Sequence, residues 1–340
     1  MQNFGGVIIE KIKPLDLQFG GLTTIENEII FPEGCYKYLP DFEEQTSLYF
    51  ESNTCVAQSA DNAMETDMTE RVVSEKISIE NLQWLKWENY FKNGKINFND
   101  RALAIASGTD PEAGNSLARV YQTAKEQGLA SENIWPWDWR ERDAKINNKK
   151  NFWNGGVLPV AVEEQMTEFK KRFDIVAEWV EIKDWKEAEK RGALQTCVWA
   201  WKKRGDKYYN PYPGKYNHAV QETSIDLLEV FDTYQPKIKQ LESEADFYGW
   251  ALKFNVFEKR HLEIMDKPKI ENNSLVFCAE GAGEFGLYLD GNIIVDDLVK
   301  VLAVWFMRTP DREVPKKKTI TLAQWNLFSK IDLKGRTITK

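Results

Sequence analysis

Four cysteines and two histidines are the scarcest reactive side chains in this 340-residue chain, and their placement limits its chemistry. The cysteines are Cys35, Cys55, Cys197 and Cys278; the histidines are His218 and His261. None stand at the C-x₂₋₄-C or H-x₃₋₅-H spacing of a structural zinc site. No metal is therefore expected from these residues, although carboxylate-bound metals stay open, and no cofactor is implied. Cys55 falls in the first turn of a helix that Asn53 or Thr54 can cap. Unpaired backbone N–H groups and the helix dipole favour an anion there, and thiols so placed are commonly acidified. The plain alternative is a small buried side chain.

A cysteine nucleophile also needs a base and a group to orient that base. His261 lies in the charged run Glu-Lys-Arg-His-Leu-Glu and reads as solvent-facing. His218 follows the loop Pro-Tyr-Pro-Gly-Lys-Tyr-Asn and begins an apolar strand, where an imidazole could overhang a cleft. The strand pattern Leu227–Phe231 then delivers Asp232, a carboxylate able to fix the tautomer of that histidine. Taken singly, His218 is a strand-end histidine and Asp232 a turn aspartate. A third motif, Gly281-Ala-Gly-Glu-Phe-Gly286, matches G-x-G-x-x-G. A dinucleotide site needs that loop to open a helix, whereas Leu287–Gly291 reads as strand and turn. A nucleotide site is rejected on that ground.

These residues must be carried by elements. Val56, Ala60, Ala63 or Met64, and Met68 share one face of the helix that starts near Cys55. A second helix is expected over Ser116–Gln127, closed by Gly128. Glu163–Phe173 and Trp185–Arg191 also read as helices. Ala193–Trp201 and His218–Phe231 read as strands, with a Pro/Gly/Tyr loop between them. The tryptophans of Ile134-Trp-Pro-Trp-Asp-Trp139 alternate and would share one face of an extended segment. Residues 1–50 read as an irregular, partly extended arm. The polar stretch Lys267–Asn273 marks a boundary, beyond which Leu275–Glu280, Phe285–Leu289 and Ile293–Val295 read as strands. Asp290-Gly291 is a hairpin turn signal between the last two. Asp296 or Asp297 would cap a helix through Phe306, and Lys316–Lys318 reads as a solvated loop.

The order Cys55, His218, Asp232, with steps of 163 and 14 positions, resembles the papain-like cysteine peptidases. The resemblance extends to Asn53-Thr-Cys-Val-Ala-Gln-Ser-Ala-Asp-Asn-Ala-Met-Glu, similar to the family's nucleophile helix. Gly114-Asn-Ser-Leu and Ile134-Trp-Pro-Trp resemble its substrate-loop region, and His218-Ala-Val its His strand. The Phe19-Gly-Gly arm, Tyr38-Leu-Pro and Asp232-Thr-Tyr are closest to the divergent type encoded by bacteriophages and some bacteria. The match covers roughly residues 1–260. It implies an α+β fold, with a helical lobe and an antiparallel β lobe, and a small C-terminal α+β extension. The expected organisation is an arm at 1–50, a peptidase domain at 51–266 and a docking module at 267–340.

The resemblance also implies roles. Cys55 would attack an acyl carbon, His218 would move the proton, and Asp232 would orient His218. Gly114 and Asn115 would lend backbone groups to an extended polypeptide substrate. The family's oxyanion-hole glutamine lies six residues before the cysteine, where this chain has Tyr49; Gln45 is the best candidate for that donor. The chain also departs at Val56, where papain has tryptophan, and at Asp232-Thr-Tyr-Gln, where it has Asn-Ser-Trp-Gly. Either the chain is made active, or its N-terminal arm covers the cleft.

Composition sets the remaining bounds. A net charge of −8 argues against a broad nucleic-acid surface. No run of about 18 apolar residues suggests a membrane span, and the first residues lack the pattern of a secretory signal. The expected setting is the cytoplasm or a phage particle, with free thiols. The C-terminal module is expected to bind a protein partner or another copy of the chain. Two further functions stay open: a phage structural protein carrying an idle site, and a cell-wall amidase on the same fold.

Overall fold

The computed structural model describes residues 6–9, 28–46, 50–137 and 148–259, and short strands between 269 and 321. Two compact units divide the chain, Met1–Lys259 and Arg260–Lys340. The first holds helices α1 (Cys55–Val73), α2 (Ile79–Trp87), α3 (Asp100–Ala106), α4 (Leu117–Gln127), α5 (Lys149–Trp153), α6 (Val160–Arg172) and α7 (Trp185–Ala188). Its strands are β1 (Phe91–Lys92), β2 (Lys95–Ile96), β3 (Phe173–Glu181), β4 (Ala193–Val198), β5 (Lys202–Arg204) and β6 (Lys207–Tyr209). They continue with β7 (His218–Ser224), β8 (Glu229–Phe231), β9 (Ile238–Gln240) and β10 (Phe247–Glu258). Six of them form one antiparallel sheet in the order β3-β10-β4-β7-β8-β9. The architecture is α+β: helices on one side of the unit and an antiparallel sheet on the other.

Helix α1 joins the two halves. Every residue from Cys55 to Val72 is buried, so the one-faced apolar stripe expected from the sequence is only part of its packing. A helix buried all round must satisfy its polar side chains inside the protein. Those facing the sheet do so: Gln195 on β4 donates to Val56 O (2.7 Å) and Ser59 Oγ (2.8 Å). Val256 N on β10 donates to Asp67 Oδ2 (2.7 Å). Thr54 is the N-cap but caps without a side-chain hydrogen bond, because its hydroxyl is taken by Ser52 Oγ at 2.6 Å. Helix α4 starts and ends as its sequence predicts, with Ser116 accepting from Arg119 N and Gly128 at φ +85°.

Two expectations need correction here. The span His218–Phe231 is not one strand but two, β7 and β8, separated by a turn in which Leu228 has a positive φ. The chain reverses over residues 225–228, with Ile225 buried and Leu228 left-handed, and the turn sets β8 antiparallel to β7. The sheet's longest strands, β3 and β10, lie outside the expected elements; Phe173, Ile175, Ala177 and Trp179 alternate along β3. Trp135 and Trp137 do share a surface, since both rings cover the Arg101 guanidinium, at 3.5 and 4.7 Å from their centroids.

The helical half contains a cluster of carboxyl groups. Asp61 and Glu65 on α1 and Asp100 at the start of α3 are buried, with Glu43 and Glu132 half-buried beside them. Neither Asp61 oxygen has a donor partner while ionised. Burial first, then mutual repulsion, raises Asp61, Glu65 and Glu43 well above the ordinary carboxyl range. Burial also raises Asp100 to about 6 and Glu132 to about 8. A carboxyl whose folded pKa is raised stabilises the fold below its unfolded value and loses that contribution as pH rises through the folded one. Thermal unfolding should therefore show a higher Tm near pH 5 than near pH 9, falling through the range 6–8. Asp61→Asn should flatten that slope; a Tm that instead rises with pH across this window would refute the upward shift of these carboxyls.

In the second unit, strands β11 (Lys269–Glu271), β12 (Ser274–Cys278) and β15 (Lys317–Thr321) form an antiparallel sheet. Strands β13 (Tyr288–Leu289) and β14 (Asn292–Ile293) pair, and Asp290-Gly291, where a turn is expected, lies outside the described residues. Lys317 and Lys318 thus lie on a strand and not in a loop, because β12 offers them backbone partners. The expected boundary Lys267–Asn273 includes strand β11 for the same reason. The glycine motif at 281–286, the helix expected from Asp296 and His261 lie outside the described residues.

Candidate active site

Cys55 is placed by the N-terminus of α1, His218 by the first position of β7, and Asp232 by the first residue after β8. Because β7 and β8 are neighbours, the histidine and the carboxylate meet beside the sheet; α1 crosses its face and brings the thiol to them. His218 Nε2 lies 2.6 Å from Asp232 Oδ1. The Cys55 thiol lies close enough to the same imidazole to raise its proton affinity, and with Nε2 taken by Asp232 the ring nitrogen left for sulfur is Nδ1. All three residues are buried, at 0–1% exposure, so their interactions are little weakened by solvent.

Electrostatics favour a charged imidazole. Burial alone would lower the His218 pKa, but the charge and hydrogen bond of Asp232, with a smaller contribution from Cys55, outweigh it and raise the group to about 10. Burial pushes Asp232 upward, yet His218 and Lys239 together hold it below the ordinary carboxylate range. Lys239 comes from β9 and sets its Nζ 2.6 Å from Asp232 Oδ2. Thr233 N donates to Asp232 Oδ1 at 2.8 Å. The rings of Tyr234 and Trp201 flank His218, at centroid distances of 5.1 and 5.6 Å.

Gln45 is buried nearby, but its amide is committed. It donates to Glu51 Oε1 and Tyr234 Oη, both at 2.7 Å, and its Oε1 accepts from Thr233 Oγ1 at 2.7 Å. Tyr234 Oη in turn donates to Glu51 Oε2 at 2.6 Å. Both amide N–H groups of Gln45 are therefore spent on this network, and an oxyanion would have to displace one partner.

Gly114 and Asn115 sit on the other rim. Asn115 turns its side chain inward, donating to Ser107 Oγ (3.0 Å) and Thr109 Oγ1 (2.9 Å), so its backbone N–H and C=O face outward. The N-terminal arm occupies them: Asn115 N donates to Gly6 O (3.2 Å) and Ile8 N to Asn115 O (2.7 Å), a parallel bridge centred on Val7. Gly6 N donates to Asn217 O (3.2 Å), just before His218. A Cβ built on Gly6 would lie 2.5 Å from Cys55 Sγ, and one on Gly114 would lie 2.0 Å from Gly6 O. Only glycine at these two positions permits so close an approach.

The sequence reading did not find Lys239, Glu51, Thr233 or the carbonyl of Asn217. Lys239 had one available signal: alternation along Ile238-Lys239-Gln240, which turns a charged residue inward. Among the described residues, no group of three or more His, Cys, Asp or Glu is arranged to hold a metal ion. None of their helices is long and apolar enough to cross a membrane.

No protein-family model matches the chain, and no curated protein matches it in sequence. Solved structures with a similar chain trace include xylellain, a cysteine protease from Xylella fastidiosa. It is 13% identical with a TM-score of 0.43, over 74% of this chain and 96% of that one. The bromelain protease of Ananas comosus, in complex with the E64 inhibitor, is 13% identical with a TM-score of 0.38, over 66% and 95%. The cysteine protease and lectin-like domains of Cwp84 from Clostridium difficile give 12% and 0.40, over 71% and 52%.

Proposed function

We propose that this chain is a thiol hydrolase of the papain-like type that cleaves peptide bonds through an acyl-enzyme. The observation that carries the reading is the buried line Cys55–His218–Asp232, with the carboxylate on the ring nitrogen that does not face sulfur. The motif residues noted in the sequence support the divergent phage and bacterial type.

In this mechanism the Cys55 proton passes to His218 Nδ1 and the sulfur adds to the substrate carbonyl carbon. The Cys55 backbone N–H stabilises the oxyanion, joined by Gln45 once it releases Glu51 or Tyr234. Collapse breaks the C–N bond, and His218 protonates the departing amine. A water then attacks the thioester, gives its proton to His218, and the acid product leaves as the thiol is restored. Asp232 holds the ring throughout. Gly114 and Asn115 bind the extended substrate backbone where residues 6–8 of the arm now lie, so the arm must leave before a substrate enters.

Release of peptides from casein, absent in Cys55→Ala, is the expected result. A second reading, a phage-particle component with an idle site, draws on the committed Gln45 amide and the Gly6 backbone against the sulfur. It would be favoured if no peptide is released even with the arm displaced. Release of muropeptides without casein cleavage would point instead to a cell-wall amidase.

A further inference from the structure

We propose that Lys239 is a positioning residue of this site: its ammonium clamps Asp232 and balances its charge, so that His218 faces a neutral ion pair and not a lone carboxylate. This inference rests on the thiol-hydrolase reading of the Cys55–His218 pair.

The geometry is that of a built clamp. Strand β9 points Lys239 inward between two half-exposed neighbours, and the residue is 2% exposed. Its Nζ approaches Asp232 Oδ2 at 2.6 Å and donates to the carbonyls of Tyr234 (2.5 Å) and Pro236 (2.6 Å). Two of the three ammonium donors go to those carbonyls, and the carboxylate is held as a close ion pair outside hydrogen-bond geometry. The Trp201 ring lies 5.0 Å from Nζ and the Tyr208 ring 5.8 Å, so aromatic faces close the outer side of the cation. Two of these contacts reach the chain between Asp232 and β9, so the lysine fixes the turn that presents the carboxylate.

Charge balance gives the functional consequence. A buried carboxylate beside an imidazole that has lost its proton is an uncompensated charge, and burial then favours its protonated form. With Lys239 on its second oxygen, Asp232 stays ionised through the whole proton cycle of His218. The pair Lys239–Asp232 has no net charge and presents mainly its dipole to the ring. That recovers, by compensation, the electrostatic condition of a neutral asparagine, which the resemblance places at this position. The other titratable groups facing His218 are Cys55 from α1 and Tyr234 after β8. Cys197 on β4, Glu51 behind Tyr234 and Tyr208 on β6 stand further out. None of them carries a positive charge, so Lys239 is the cation whose removal His218 would feel.

The test is a titration of His218 that involves no turnover. The chain has only two histidines, so ¹⁵N-imidazole NMR gives two sets of signals, and His261→Gln assigns them. In Lys239→Met the His218 midpoint should rise by about one pH unit, as expected for losing a cation one carboxylate away. Lys239→Arg should keep it near the wild-type value. If Lys239→Met does not fold, Asp232→Asn is compared with Asp232→Asn/Lys239→Met, which replaces both charges. The single variant, left with an unbalanced lysine, should titrate at least about one unit below the double variant. Equal midpoints in that comparison, or an unmoved midpoint in Lys239→Met, would overturn the proposal. Failure of the underlying reading looks different: casein is not cleaved by any arm-displaced variant, while the titration cycle still gives its answer.

Discussion

Replacing His218 by alanine should lower kcat/KM for a peptide substrate by about 10⁴-fold, with the fold intact. His218 is the imidazole beside Cys55, and in the proposed cycle it serves every proton transfer, including those to the leaving amine and from water. Losing general acid–base catalysis at both steps corresponds to about 5 kcal/mol of transition-state stabilisation. The residue is buried at the end of β7, where alanine keeps the strand pairing Val198↔His218 and removes only the ring. Iodoacetamide labelling supplies a second readout. At pH 6–7, Cys55 in wild-type protein should react faster than Cys35 and Cys197, and His218→Ala should abolish that advantage. Both of those thiols are pushed far up by burial, which makes them internal standards of an unactivated cysteine. A His218→Ala protein that labels and cleaves like wild type would show that the imidazole does not act on the sulfur.

Freeing the cleft should produce the opposite effect of comparable interest. Gly6→Val places side-chain atoms where the Cys55 sulfur already stands, since even a Cβ there comes within 2.5 Å. The arm is held at this point by three backbone hydrogen bonds, to Asn217 and Asn115. At about 1 kcal/mol net each, they favour the covered state by about 3 kcal/mol, or roughly a hundredfold. Gly6→Val, or deletion of residues 1–9, should therefore raise the rate of Cys55 alkylation and of casein cleavage by about 10- to 100-fold. Synthetic peptide of residues 4–12, added to the deleted protein, should slow both. Unchanged rates in both variants would mean that the arm does not stand between sulfur and substrate in solution.

The two experiments separate activation from access. His218→Ala acts on the chemistry at the sulfur, and its effect persists when the arm is gone. Gly6→Val acts only on how often the sulfur is reachable. A double variant should show the fold-effects of both in combination, since one residue governs a bound state and the other a reaction step.

Much of the site could be read from local sequence. Cys55 at a helix start and His218 at a strand start follow from hydrophobic period and turn chemistry alone, and the structure has α1 begin at Cys55 and β7 at His218. Ser116 and Gly128 delimit α4 because capping and left-handed backbone are properties of single residues. What local pattern could not supply was any contact across the sheet. Strands β3 and β10 pair at sequence separations that run from 69 (Trp250↔Glu181) to 85 (Glu258↔Phe173), and their middle positions are buried on both faces, so clean alternation is lost along β10. The apolar face from Val56 to Met68 announced helix α1 but not its burial on every side, because its other faces carry polar side chains.

By itself, then, the sequence determined which side chains could be nucleophile and base, because only four cysteines and two histidines exist, and it singled out Asp232 among 53 acidic residues by its place at the end of a strand pattern. Only the tertiary structure decided what surrounds them. It set Lys239 on the far oxygen of Asp232, spent the amide of Gln45 on Glu51 and Tyr234, and laid Gly6 against the sulfur. The physical reason is one of range. Helix caps, turns and strand starts are fixed by neighbours within a few residues. Charge balance, hydrogen-bond saturation and steric access depend on groups that approach within a few ångströms from anywhere in the chain.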